Sequence, residues 1–118
     1  MNFAMKKIKK CEIDEIGEKQ LVHEIKIQSF IDHPNIVKLY GFFHDEDHAY
    51  LVMELCSSGH LYNFLQKKVF LPEKMVQNIV KQICHALKHL HSYNIIHRDL
   101  KLENVLFQMV VFYLFREW

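Results

Sequence analysis

The longest regular pattern in the chain runs directly into its densest group of reactive side chains, and that adjacency narrows the folds open to it. From Pro72, a residue suited to a helix's first turn, apolar residues recur at Val76, Ile79, Val80, Ile83, Leu87 and Leu90. This spacing is that of one buried helical stripe. Next comes His97-Arg98-Asp99-Leu100-Lys101-Leu102-Glu103-Asn104, and then an apolar, strand-like run at 105–107. A lone Asp with an Asn five residues on populates ordinary loops and caps. Eight residues in this order, between a helix and a strand, are far harder to reach by chance. They place a carboxylate (Asp99), an ammonium (Lys101) and an amide (Asn104) at fixed offsets in one short loop.

Upstream, residues 2–8 form a short apolar run carrying Lys6, which reads as a strand. Residues 12–31 are rich in helix formers, with Leu21, Ile25, Gln28 and Ile31 on roughly one face and Glu24 within the span. Gly17 weakens the first part of that helix. His33-Pro34-Asn35 ends it, because the residue before a proline is pushed out of the α region. Residues 36–43 and 49–55 are β-prone and flank the acidic turn 44–48, so they should pair as a hairpin. Cys56-Ser57-Ser58-Gly59 then breaks the pattern before a short helix at 61–65. The expected architecture is α+β in two parts: a strand-plus-helix part at 1–55, a connector at 56–60, a helical part at 61–107 and an apolar tail at 108–118. Taken alone, Lys6 is a solvated strand lysine and Glu24 a solvated helix side chain.

Composition excludes several classes. Hydrophobic residues at 50% and charged residues at 25% are ordinary for a globular chain rather than a disordered one. A net charge of +1 leaves no whole-molecule field that would draw in nucleic acid or an anionic membrane, and neither is expected as a partner. Cys11, Cys56 and Cys84 are odd in number and far apart, which suits a reducing, intracellular compartment. The longest apolar run, 109–115, is too short to span a bilayer, and its uncharged β-prone composition is an aggregation hazard when exposed. His85 and His89, four residues apart on the long helix, invite a metal reading. That reading is rejected because position 86 is Ala rather than the Glu of H-E-x-x-H, and no cysteine stands at ligand spacing.

With these elements placed, the chain resembles a serine/threonine protein kinase catalytic domain from about residue 3 to 107, and most resembles the Aurora kinases. His97 to Asn104 matches H-R-D-L-x-x-x-N at all five specified positions. By resemblance Asp99 accepts the proton of the substrate hydroxyl, and Asn104 is a magnesium ligand. Lys101 neutralises the migrating phosphoryl group and marks the serine/threonine branch. Phe3-Ala4-Met5-Lys6 resembles V-A-I-K, so the resemblance implies that Lys6 holds the ATP phosphates and Glu24 fixes its ammonium. It further implies cofactor-binding positions at Ala4, Met53 (the gatekeeper), Glu54, Cys56, Glu103 and Leu106, with main-chain adenine contacts at Glu54 and Cys56. Glu103 would read basic side chains upstream of the acceptor. The segment His33-Pro34-Asn35-Ile36-Val37-Lys38-Leu39-Tyr40-Gly41-Phe42-Phe43-His44-Asp45 carries the Aurora likeness. The implied cofactors are ATP and Mg2+, the implied partners protein substrates with Ser/Thr acceptors, and the implied location the cytoplasm, nucleus or cytoskeleton.

Three departures qualify the resemblance. Position 102, commonly Pro in the family, is Leu, which alters loop stiffness more than chemistry. Only Gly17, Gly41 and Gly59 are present, so there is no G-x-G-x-x-G loop to cover the phosphates. After Asn104 no D-F-G follows, and the principal magnesium carboxylate is missing. The expectation is the middle of a kinase domain, truncated at both ends and inactive by itself. The alternative is a catalytically inactive kinase fragment that acts as a protein-binding module.

Overall fold

The computed structural model describes residues 1–68 and 70–106 together with the backbone of 111–112. The described residues divide into two compact units, one of 1–32 with 38–55 and the other of 33–37 with 56–112.

In the first unit, β1 (Phe3–Lys9), β2 (Leu39–His44) and β3 (His48–Glu54) form an antiparallel sheet in the order β1-β3-β2. The hairpin expected at 36–43 and 49–55 is present, although its first strand begins at Leu39. Its acidic tip closes because the Asp45 carboxylate collects donors from its own turn. Asp45 Oδ1 accepts from the N–H groups of Asp47 (2.9 Å) and His48 (2.7 Å), and Oδ2 accepts from the Tyr50 hydroxyl (2.8 Å). Tyr50 in turn stacks on its cross-strand partner Phe43 at 4.7 Å, the kind of pair that fixes register.

The helix α1 spans Glu15–Phe30, three residues shorter at its start than propensity implies. Lys10–Glu12 instead form a 3-10 turn, and extended Asp14 caps α1 by accepting from Gly17 N–H at 2.7 Å. A side-chain cap outweighs helix propensity there, since it satisfies one of the orphan donors of the first turn. Leu21, Ile25, Gln28 and Ile31 are buried, as their spacing implies, and α1 lies against β2. Along β1, Ala4, Lys6 and Ile8 share the more buried face, while Phe3, Met5, Lys7 and Lys9 are exposed. The strand register sets Ala4 opposite Met53 and Lys6 opposite Leu51.

The second unit contains α2 (Leu61–Lys67), α3 (Glu73–Ser92), a 3-10 turn at Leu102–Asn104 and a short antiparallel pair, β4 (Val105–Leu106) with β5 (Val111–Phe112). Pro72 stands just before α3, and its carbonyl accepts from the N–H groups of Met75 and Val76. The buried line of α3 differs from the apolar stripe. Ile79 and Leu90 are buried and Ile83 and Leu87 half-buried, but Val76 and Val80 are 40% and 50% exposed and the small Ala86 is fully enclosed. Periodicity marks which residues are apolar, whereas the neighbouring elements decide which are covered.

The helix ends in a Schellman motif. Ile95 N–H donates to the Leu90 carbonyl and Asn94 N–H to that of His91, both at 3.0 Å, with Asn94 at φ 59° in the left-handed region. Asn tolerates this conformation better than most residues because its short polar side chain bonds locally. α2 packs on the 3-10 turn and on β4, and His60 forms an isolated bridge to Leu106. The expected strand residue Phe107 and most of the 108–118 tail lie outside the described residues. Among the described residues no helix is long and apolar enough to cross a membrane.

Candidate active site

The loop after α3 is built around two buried polar side chains, His97 and Asn104, which are 8% and 1% exposed. His97 Nδ1 accepts from the backbone N–H of Asp99 at 3.1 Å. Arg98, the residue between them, sits at φ 70°. A left-handed non-glycine residue costs about 1–2 kcal/mol, and such strain persists only where its surroundings over-determine it. Here the His97 acceptor and the closure from Asn104 do so.

Asn104 Nδ2 donates to the Asp99 carbonyl at 2.8 Å and stands 3.2 Å from Asp99 Oδ2. Its own N–H donates to the Lys101 carbonyl at 3.0 Å, which closes the 3-10 turn. Lys101 Nζ lies 3.8 Å from the same Asp99 Oδ2, with side chains 41% and 32% exposed. An ion pair that open adds less than about 1 kcal/mol to stability. Its consequence is positional: the carboxylate and the ammonium share one small volume. The structure therefore brings together Asp99, Lys101 and Asn104. Glu103 is half-buried in the 3-10 turn beside them in sequence, and Leu106 is buried in β4.

With Asn104 Nδ2 turned onto Asp99, the amide carbonyl Oδ1 is the end of that side chain suited to a hard cation. Among the described residues no group of three or more His, Cys, Asp or Glu side chains is placed to hold a metal ion.

In the first unit, Lys6 and Glu24 are both half-buried, and Glu24 Oε2 is withdrawn from solvent. Ala4 is half-buried opposite Met53, itself only 2% exposed. Glu54 closes β3 onto the residue before β2: its N–H donates to the Lys38 carbonyl at 2.9 Å, and its Oε2 accepts from Lys38 N–H at 3.3 Å. The Glu54 N–H is thereby committed within the unit. Cys56, in the second unit, is half-buried, and its carbonyl accepts from Gly59 N–H at 3.4 Å in a turn where Gly59 takes φ 73°.

Sequence reasoning assigned no role to His97, whose Nδ1 holds the Asp99 N–H. The available signal was a histidine two residues before a required carboxylate, because an imidazole can accept from the backbone N–H two positions on.

Residues 1–112 match the protein kinase domain family, and the chain belongs to that family. It is 40% identical over 105 residues to Aurora kinase A-A of Xenopus laevis, covering 88% of this chain and 26% of that protein. It is 41% identical over 104 residues to an Aurora kinase of Schizosaccharomyces pombe, covering 87% and 29%. A calcium-dependent protein kinase 5 of Plasmodium berghei is 46% identical over 104 residues, covering 88% and 18%. The chain thus spans less than a third of the length of each of these relatives. The likeness to Aurora kinases holds across most of the chain, alongside likeness to a calcium-dependent protein kinase.

Proposed function

We propose that this chain carries the phosphoryl-transfer loop of an intracellular serine/threonine protein kinase that moves the γ-phosphoryl group of ATP onto protein hydroxyls. The observation that supports this reading best is the Asp99–Lys101–Asn104 cluster, closed by the 2.8 Å bond from Asn104 Nδ2 to the Asp99 carbonyl. Asp99 Oδ2 accepts the proton of the attacking hydroxyl. Lys101 Nζ, 3.8 Å from that carboxylate, stands where it offsets the charge of the group in transit. Asn104 Oδ1 is the candidate magnesium ligand, and magnesium when bound would neutralise phosphate charge. Catalysis of this type is mostly positioning and electrostatics, which is what a loop of buried anchors and half-exposed functional groups supplies.

In the first unit, Lys6 with Glu24 is the candidate phosphate-holding pair, and Ala4, Met53 and Glu54 are candidate cofactor contacts. In the second unit, Cys56 and Leu106 are candidate cofactor contacts. Glu103 is the candidate reader of basic residues in the peptide. We place the functional parts at 1–55, 56–60 and 61–107. The 118 residues by themselves contain neither a glycine-rich loop nor D-F-G, so this polypeptide alone should show no measurable turnover.

The test uses the protein carrying this segment, purified and given labelled ATP, magnesium and a serine peptide with upstream basic residues. Transfer is expected, with a loss of several orders of magnitude in Asp99→Asn. Turnover that survives Asp99→Asn overturns the assignment of the base. A protein that binds partners but transfers nothing favours the non-catalytic reading.

A further inference from the structure

Outside the catalytic loop, the second unit brings His33, His85 and His89 within electrostatic reach of one another. His33 belongs to a five-residue stretch, 33–37, that is part of the second unit although both flanking segments belong to the first. Ile36 and Val37 anchor the stretch by burial, Ile36 N–H donates to the His33 carbonyl at 3.1 Å, and side-chain contacts at its His33–Asn35 end shape the turn and tie it to α3. His33 Nδ1 accepts from Asn35 N–H at 3.1 Å, Asn35 Nδ2 donates to Gln82 Oε1 of α3 at 2.9 Å, and the His33 ring lies 4.9 Å from that of His89. His89 is packed edge-on against Tyr93 at 5.3 Å.

The bond from Asn35 N–H to His33 Nδ1 fixes a protonation state. An imidazole nitrogen that accepts a hydrogen bond carries no proton, so His33 in this arrangement is the neutral tautomer with its proton on Nε2. Imidazolium has a proton on both nitrogens and cannot accept from Asn35. The same fact argues against a metal at this cluster: binding through Nε2 would require a proton on Nδ1, where Asn35 already donates.

We propose that the 33–37 segment is a proton-sensitive clasp on α3, closed while His33 is neutral and released when His33 takes up a proton. The surroundings act in one direction. Burial disfavours the charged form most, followed by repulsion from His89 and then His85, and together they hold His33 below the usual imidazole range. Along α3 the remaining titratable groups near the cluster are Lys81, Cys84, Lys88 and His91, and the one carboxylate of that helix, Glu73, is three turns from His85 in sequence. On the segment's own side the neighbouring acid is Asp32, which is exposed. No carboxylate figures among the charges acting on His33.

Because the docked segment has the lower His33 pKa, its released form binds more protons. The clasp is therefore fully closed above the free-imidazole value of 6.5 and weakens as pH falls below it.

Amide exchange of the full chain, followed by NMR from pH 7.5 to 5.5, tests this directly. The protection factor of Asn35 N–H should be lost as pH falls, while that of Leu51 N–H in β3 of the first unit stays constant and reports that the fold persists. In His33→Asn, the carboxamide oxygen can accept from the same N–H two residues on and does not titrate; Asn35 protection should then become independent of pH. His89→Gln, which removes the nearer like charge, should move the midpoint to higher pH. Asn35 protection that is flat with pH in the unaltered protein overturns the proposal, as does an equal pH-dependent loss in His33→Asn.

Discussion

Two turns in the second unit share one local device and differ in what surrounds it. In His33-Pro34-Asn35 and in His97-Arg98-Asp99, a histidine Nδ1 accepts from the N–H two residues on, at 3.1 Å in both. His97 is buried, whereas His33 is half-exposed and faces two other histidines. The buried copy holds a carboxylate in place, together with a neighbour forced to φ 70° and a buried asparagine that closes the loop from the far side. The half-exposed copy shapes a turn that a separate side-chain hydrogen bond ties to a helix. The same bond therefore serves rigidity in one place and responsiveness in the other. Burial and the sign of the neighbouring charges decide which.

This comparison can be broken at several points. Asn104→Ala should have the largest effect, since removing a buried donor and leaving the Asp99 carbonyl unsatisfied costs about 1–3 kcal/mol, in addition to any loss of transfer. Denaturant unfolding at pH 7.5 measures the stability part. His97→Ala should cost nearly as much for the same reason. His33→Ala, whose acceptor is half-exposed, should cost only about 0.5–1.5 kcal/mol at that pH. Equal costs for the two histidines would show that burial does not separate them.

Asn94→Ala should lose about 1 kcal/mol, because alanine bears the left-handed strain that asparagine tolerates better, and Asn94→Gly should lose little. Thermal unfolding of the two variants distinguishes this from a simple loss of polarity.

The smallest effect is expected at the hairpin tip of the first unit. Asp45 is held below its ordinary range chiefly by the Tyr50 hydroxyl, then by the His48 N–H. Tyr50→Phe should raise its titration midpoint, followed by carboxyl-carbon NMR. Since the folded pKa is depressed, the contribution of Asp45 is present above 3.8 and lost as pH falls below that value. This acid window lies well below that of His33, so the two titrations can be read separately in one sample.

Local chemistry written into the chain was enough for much of the reading. The alternating β-prone runs on either side of the acidic turn, the Leu21–Ile25–Gln28 face and the order of residues from His97 to Asn104 each follow from period and residue type, because strands, amphipathic helices and short loops are selected by nearest neighbours. What lay across the chain was not legible. Val76 and Val80 look like core by spacing and are exposed, while Ala86 is enclosed, since coverage depends on which distant element arrives. The His33–His89 contact joins residues 56 positions apart, and the Asn35–Gln82 bond joins residues 47 apart. Sequence alone determined the family, the elements and the reactive loop. Tertiary structure decided which polar groups were withdrawn from water and which histidines faced one another, because desolvation and Coulomb repulsion depend on distances that only the folded chain sets.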